Sequence, residues 1–184
     1  GSASNTQQTN EQAWPLWEVF IRSKQGLDHK HAGSLHAADA AMAMENARDV
    51  YTRRQEGISL IPYSPLAGGV LSGKYQGGAT PEGARFSRYL KMEGRQAAMG
   101  RRFVNDKSLA ATERYLKIAE EAGLHPVTMA TAWSKQHDFV ASTIVGVSAY
   151  DQVDPILAAK DLVLGDDVMK ALHQVSRDIL YPMG

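Results

Sequence analysis

The sequence predicts an α/β protein in which an N-terminal strand–strand–helix unit leads into a buried strand and a mostly helical remainder. Three observations carry this prediction. Residues 16–23 and 31–37 have the residue types of two antiparallel strands, and residues 39–54 have helical spacing. Residues 58–61 form a short, largely β-branched apolar run that Pro62 ends, as expected of a buried parallel strand.

The composition indicates a globular protein without a strong charge. Of the 184 residues 43% are hydrophobic, and twenty basic and twenty acidic residues give a formal net charge of zero. This balance argues against nucleic acid or an anionic membrane as a partner. The absence of cysteine excludes disulfides, thiolate catalysis and cysteine-ligated zinc. No apolar run is long enough for a membrane span and no signal-peptide pattern opens the chain, so we expect a cytoplasmic protein.

The N-terminal unit begins after a polar, aperiodic tail. Residues 1–13 are expected to be disordered, and their Gly-Ser start looks like a remnant of an expression vector. The first strand, 16–23, is followed by a turn at 25–28 and the second strand, 31–37. The helix at 39–54 gathers arginines at its end, where the helix dipole favours cations, and Gly57 stops it.

The centre of the chain is the stretch at 58–75, which reads ISLIPYSPLAGGVLSGKY. Its glycines would let backbone N–H groups approach a ligand, Ser64 offers a hydroxyl, Lys74 a charge and Tyr63 an aromatic face. Together they could hold a phosphorylated cofactor. A surface turn rich in glycine and proline after a core strand is the alternative.

Residues 57–182 resemble the C-terminal part of the NADP-dependent aldo-keto reductases, in the branch of the potassium-channel β subunits. The resemblance rests on YSPLAGG at 63–69 and LSGKY at 71–75, which look like the loop after the family's seventh strand. It implies a segment of a (β/α)8 barrel that carries part of an NADP site, and not a whole barrel. The cofactor-binding residues implied by the resemblance are Tyr63, Ser64, Pro65, Leu66, Gly68, Lys74, Arg85, Ser148 and Gln152.

Two positions depart from the family's pattern. Ile156 stands where the family usually has an asparagine that binds adenine, and Pro155 replaces a common acidic residue. A lost polar partner costs about 1–3 kcal/mol when the group it served stays unpaired, so we expect NADP binding to be weak or lost.

The remaining elements follow from local patterns. We expect a helix at 89–105 and a second at 108–123, capped by Ser108. A third follows Pro126 at 127–137, and a last amphipathic helix covers 166–179. Residues 141–146 are predicted as a second buried strand, and 147–159 as a loop and helix. Tyr115 and Trp133 are assigned to the core.

The N-terminal unit resembles a different family, PaaB, the small non-catalytic component of the multicomponent phenylacetyl-CoA epoxidase. WPLWEVFIRSKQGL at 14–27, HKHAGSLHAAD at 29–39 and ENARDVYTRR at 45–54 carry the likeness. The predicted domains are therefore a tail at 1–13, a PaaB-like ββα unit at 14–57 and a reductase-like segment at 58–184, joined through a shared strand. A natural fusion, a laboratory chimera and a recombined gene all remain open.

The catalytic residues of the reductases map to no position here. The resemblance implies that a tyrosine, a lysine, an aspartate and a histidine come from the first half of the barrel, so we expect no turnover. A substitute acid/base set could be formed by five residues of the N-terminal unit: His29, His31, His36, Lys24 and Tyr51. Of these, His29 and His31 alternate along the chain and could bind a metal. Because the same residues occur in the non-catalytic PaaB pattern, a structural role is favoured and no metal site is predicted.

Two functions of different classes follow. One is an oxidoreductase-like segment that retains part of an NADP site. The other is an assembly module in which the PaaB-like unit pairs with itself or with oxygenase subunits. Since a partial barrel leaves strand edges and apolar side chains uncovered, we expect a homo-oligomer.

Overall fold

The computed structural model describes residues 16–22, 30–51 and 57–183. The strands are β1 (Leu16–Arg22), β2 (Lys30–His36) and β3 (Gly57–Pro62). The helices are α1 (Ala40–Tyr51), α2 (Arg85–Tyr89), α3 (Gly94–Phe103), α4 (Asp106–Glu121), α5 (Pro126–Lys135), α6 (Val153–Leu157) and α7 (Asp166–Asp178). Short 3₁₀ turns cover Ala67–Ser72, Gln76–Gly78 and Tyr150–Gln152. The predicted tail at 1–13 lies outside the described residues.

The three strands form one antiparallel sheet in the order β2-β1-β3. Val19 of β1 lies opposite Gly33 on one side and Leu60 on the other. The predicted hairpin strands, helix and following strand are therefore confirmed as one sheet unit. β3, however, runs antiparallel to its neighbour β1, because the N-terminal hairpin supplies a strand of that direction.

One face of the sheet packs on α1. Val19, Leu60, Ala43 and Ala47 are fully buried there, and Trp17 packs against them. Alternation along β1 turns Glu18 to the other face, as expected of a sheet covered on one side.

The helix α1 starts at a side-chain cap. The amide N–H of Met42 donates to Oδ1 of Asp39 at 2.9 Å. This satisfies one of the donors that a helix N-terminus leaves unpaired.

Among the residues that the structure describes, the far edge of β3 pairs at one point only. The Leu60 N–H donates to the Phe139 carbonyl at 2.7 Å, and the Ala141 N–H donates to the Leu60 carbonyl at 2.9 Å. These bonds make an isolated parallel bridge between Leu60 and Val140. Beyond it, residues 142–147 carry no regular secondary structure, so the predicted strand at 141–146 is wrong.

Residues 141–146 do not form a strand because they have too few neighbouring strands. A buried parallel strand needs a partner on each edge and cover on both faces. Within the described part of the chain the 139–141 segment pairs with β3 alone, and 64% of the Ile144 surface is exposed. The β-branched run at 142–145 therefore lacks the environment that would make it a strand.

Most of the predicted helices agree with the structure. The helices predicted at 108–123, 127–137 and 166–179 are confirmed as α4, α5 and α7, within a few residues. Asn105, and not Ser108, caps α4; Ser108 is its partner in a capping box, accepting from the Asn105 N–H at 3.1 Å. The helix expected at 89–105 is found as the shorter α3, and the short helix α2 before it was not predicted.

Two further buried clusters hold the helical part together. One joins α4, α5 and α7 around Ala119, Ala132 and Leu172. The other packs the loop after β3 on α2 and α3 through Val70, Phe86 and other aromatic side chains. Among the described residues, no helix is long and apolar enough to cross a membrane.

Candidate functional site: the loop after β3

The loop after β3 is closed by its own hydrogen bonds. The Gly68 N–H donates to Oγ of Ser64 at 2.9 Å, and the Ala67 N–H donates to the Ser64 carbonyl at 2.7 Å. Ser64 and Ala67 both take positive φ values, 52° and 49°, which residues with a Cβ rarely adopt. This strained, compact loop is of the kind that functional sites often use.

Two glycines in the loop are needed for close packing. A Cβ at Gly68 would lie 2.4 Å from Cε2 of Phe86, and one at Gly69 would lie 2.8 Å from Nζ of Lys74. Both positions have positive φ, 62° and 94°. Gly69 therefore lets the Lys74 ammonium lie directly against the backbone.

Arg85 is brought to the same place by Tyr75. The buried Tyr75 hydroxyl accepts the Phe86 N–H at 3.2 Å, and the two rings pack with centroids 5.9 Å apart. Since Arg85 precedes Phe86 at the start of α2, these contacts fix the position of its backbone beside the loop.

Lys74 and Arg85 form a pair of cations. Partial burial lowers the pKa of Lys74, and the positive charge of Arg85 lowers it further. Within the described ranges neither side chain has an ion pair with a carboxylate. Two interacting cations without an acidic partner favour the binding of an anion nearby.

The other predicted cofactor residues are placed less favourably. Tyr63 is half exposed, and the Leu66 carbonyl accepts the Gly69 N–H within the loop at 2.8 Å. Ser148 and Gln152 form an exposed pair in which Oε1 of Gln152 accepts the Ser148 N–H at 3.0 Å. In the part of the chain that the structure describes, no hydrogen bond joins this pair to Lys74 or Arg85. The structure therefore brings together the residues of the first loop and leaves Ser148 and Gln152 as a separate pair.

His31, one of the N-terminal histidines, contacts other residues of the sheet. Nε2 of His31 lies 2.6 Å from Oε2 of Glu18, and the His31 ring packs on Phe20 with centroids 5.2 Å apart. Lys24, His29 and the side chain of Tyr51 lie outside the described residues. The described residues contain no cluster of three or more side chains that could hold a metal.

Pattern reasoning missed an apolar cavity. Pro65, Tyr115 and Trp133 are among the residues that line a space of about 120 Å³ between the loop after β3 and the helices α4, α5 and α7. The sequence predicts Tyr115 and Trp133 as core residues because they lie on apolar helix faces. No local signal could reveal the cavity, since its walls come from positions as distant as 65 and 176.

Comparison with known proteins decides the family. The model of the aldo/keto reductase family matches residues 39–177, well over half of the chain. The chain belongs to the aldo/keto reductase family. The model described as phenylacetic acid degradation B, PaaB, matches residues 13–63. Both resemblances seen in the sequence are thereby confirmed.

Individual relatives agree with the two matches. The PaaB component of 1,2-phenylacetyl-CoA epoxidase from Escherichia coli K12 is 72% identical over 47 residues, which cover 26% of this chain and 50% of that protein. Protein tas from the same organism is 38% identical over 130 residues, covering 69% of this chain and 34% of that protein. An Arabidopsis thaliana protein, named as a probable β subunit of a voltage-gated potassium channel, is 35% identical over 121 residues, covering 65% and 35%.

The match to each relative is partial. The chain spans about half the length of the epoxidase subunit, and about a third of the length of protein tas and of the Arabidopsis thaliana protein. The reductase match includes the whole loop after β3.

The Lys74–Arg85 pair predicts a measurable change in pKa. Replacing Arg85 by glutamine removes the neighbouring charge, so the pKa of Lys74 should rise towards 10.5, its ordinary value, without reaching it, because burial is the larger cause. An NMR titration of the Lys74 Cε resonance measures the shift. Arg88→Gln, three residues along the same helix, is the matched control and should leave this pKa unchanged. An unchanged Lys74 pKa in Arg85→Gln would show that the two cations are not neighbours in solution.

Proposed function

We propose that this chain binds the phosphate end of NADP(H) weakly, through the loop after β3, and does not turn over as a reductase. The observation that carries the proposal is the cation pair of Lys74 and Arg85 beside a backbone that glycines leave accessible. Membership of the aldo/keto reductase family supports NADP(H) as the anion's source.

The residues of the loop fit a phosphate group. Lys74 would donate from its ammonium and Arg85 from its guanidinium, and charge-assisted bonds of this kind are the strong ones. Ser64 would add its hydroxyl proton, because its oxygen already accepts from Gly68. We assign Tyr63, Pro65, Leu66 and Gly68 to cofactor binding as the framework of the loop. We assign Ser148 and Gln152 to cofactor binding at the adenosine end.

Two features support weak binding. The side-chain oxygen Oε1 of Gln152 already accepts the Ser148 N–H, so that contact would have to be exchanged for one to the cofactor. Ile156 offers no hydrogen bond where the family has an asparagine, which would leave part of the adenine unpaired.

NADPH, when bound, supplies a hydride to a carbonyl, and the carbonyl oxygen then needs a proton. No residue of this chain corresponds to the family's catalytic tyrosine, lysine, aspartate or histidine. General acid catalysis is worth about 10²- to 10⁴-fold, and electrostatic stabilisation commonly about another 10²- to 10³-fold. Without both, the rate should fall to background.

A fluorescence titration with NADPH tests the binding. Saturable binding is expected, with affinity reduced about ten-fold or more in Lys74→Gln and in Arg85→Gln, since each variant loses a charged hydrogen bond. Arg88→Gln should bind as the wild type does. Absence of saturable binding at millimolar NADPH, or variants that bind like wild type, would contradict the assignment of the loop.

The same preparation, given NADPH and a panel of aldehydes, should show no turnover above buffer. Lys24→Ala, His36→Ala and Tyr51→Ala provide the comparison, because they remove the substitute acid/base set. Robust oxidation of NADPH that any of these variants abolishes would show that the N-terminal unit supplies a catalytic half.

A second candidate is an assembly module, which would explain the PaaB-like segment. β2 forms the outer edge of the sheet, and several large apolar side chains are exposed along the chain after residue 140: Ile144, Val147, Tyr150, Leu157 and Val163. A second copy of the chain would cover such surface, and oxygenase subunits are the partners that the PaaB relative suggests. We propose division of the chain near residue 57, with β3 serving both parts.

The mass in solution tests this candidate. Sedimentation at micromolar concentration should give at least twice the 20.1 kDa of one chain. A stable monomer under these conditions would refute self-assembly. If the NADPH titration also failed, a recombined or artificial chimera without an evolved function would be the better account.

A further inference from the structure

The apolar cavity between the loop after β3 and the helices α4, α5 and α7 has the size of a small ligand. Its volume is about 120 Å³, and Leu71, Met129, Ala130 and Leu172 provide apolar walls. Apolar cavities of about 150 Å³ can stay dry and bind benzene. Ser64, Lys74 and Arg85 are not among its lining residues, so the cavity shares the loop residue Pro65 with the proposed cofactor site but not the groups that would bind phosphate.

One polar feature accompanies these walls. The hydroxyls of Tyr115 and Ser176 lie 3.2 Å apart, and both residues line the cavity. Burial raises the pKa of Tyr115, so its phenol is neutral at physiological pH. Trp133 also lines the cavity with its ring, while its indole Nε1 is fully buried and offers no surface to a ligand.

We propose that the cavity is a binding site for a small, neutral, monocyclic aromatic molecule that carries one hydroxyl or carbonyl oxygen. The ring fills the apolar space, and the oxygen reaches the hydroxyl pair of Tyr115 and Ser176.

The apolar walls of the cavity also disfavour the binding of charged molecules. A carboxylate would lose its hydration among apolar side chains, and among the described residues no cation lines the cavity to compensate for it. Benzoate, which is charged and also larger than phenol, should therefore bind more weakly than phenol. Benzene should bind through its ring alone.

NMR titration of the full chain with phenol, benzene and benzoate tests the proposal, with the Trp133 indole N–H resonance as the reporter. Phenol should shift this resonance saturably, with a Kd of about 1 mM or below. Tyr115→Phe and Ser176→Ala should each weaken phenol about two- to ten-fold and leave benzene unchanged, as the loss of one neutral hydrogen bond predicts.

Cavity-filling variants give the second arm. Ala130→Leu and Ala130→Phe place added atoms in the cavity and should abolish binding, whereas Ala110→Leu on the exposed side of α4 should bind phenol like wild type. If the larger substitution does not fold, Ala130→Leu and the wild-type titration still decide. No saturable shift of the Trp133 resonance up to about 10 mM phenol, unchanged binding by Ala130→Leu, or benzoate binding as tightly as phenol would overturn the proposal.

Discussion

The fold depends on two hydrogen bonds made by one residue. Leu60 is fully buried at the centre of the sheet core, and its backbone bonds both to Phe139 and to Ala141. The PaaB match includes Leu60, and the reductase match includes Leu60 as well as residues 139–141. A strand that pairs with β1 on one edge and with this segment on the other thus lies in both matches.

The side chains continue this connection. Phe139 packs into the sheet core and stacks on His137 at 5.0 Å between ring centroids, with the rings 11° from parallel. His137 in turn meets the Trp133 ring edge-on at 4.9 Å. Burial, and then the nearby charge of His173, lowers the pKa of His137, which keeps its ring neutral and suited to this stack. Trp133 belongs to the cluster of helices α4, α5 and α7, so the aromatic series joins that cluster to the sheet.

Local sequence patterns predict an element correctly where the residues that determine it are close together in the sequence. β1, β2, α1 and the helices α4, α5 and α7 follow from alternation, helical spacing, Pro126 and terminating glycines, all within a few neighbouring residues. The strand predicted at 141–146 failed because strand formation depends on neighbours that a local pattern does not show. Similarly, Ser108 was recognised as a capping residue, but only the geometry shows that Asn105 takes the first position.

The same division applies to the sites. Lys74 and the glycines of the loop were visible as a sequence motif, and the structure adds the reason for them: Gly69 makes room for the Lys74 ammonium and Gly68 for Phe86. The cavity was invisible because Pro65, Tyr115 and Trp133 meet only after folding, and an apolar helix face does not reveal whether the space beside it is filled. A cavity whose walls come from residues far apart in the sequence cannot be predicted from local patterns.

Hydrogen exchange at single amides tests the central role of Leu60 most directly. If β3 joins the sheet to the 139–141 segment, the amide protons of Leu60 and Ala141 should both be strongly protected, because each is donated in a backbone hydrogen bond at the junction. The amide of Ile144, whose side chain is exposed, should exchange quickly and serves as the internal control. Protection of amides in β1 together with fast exchange at both Leu60 and Ala141 would contradict the account.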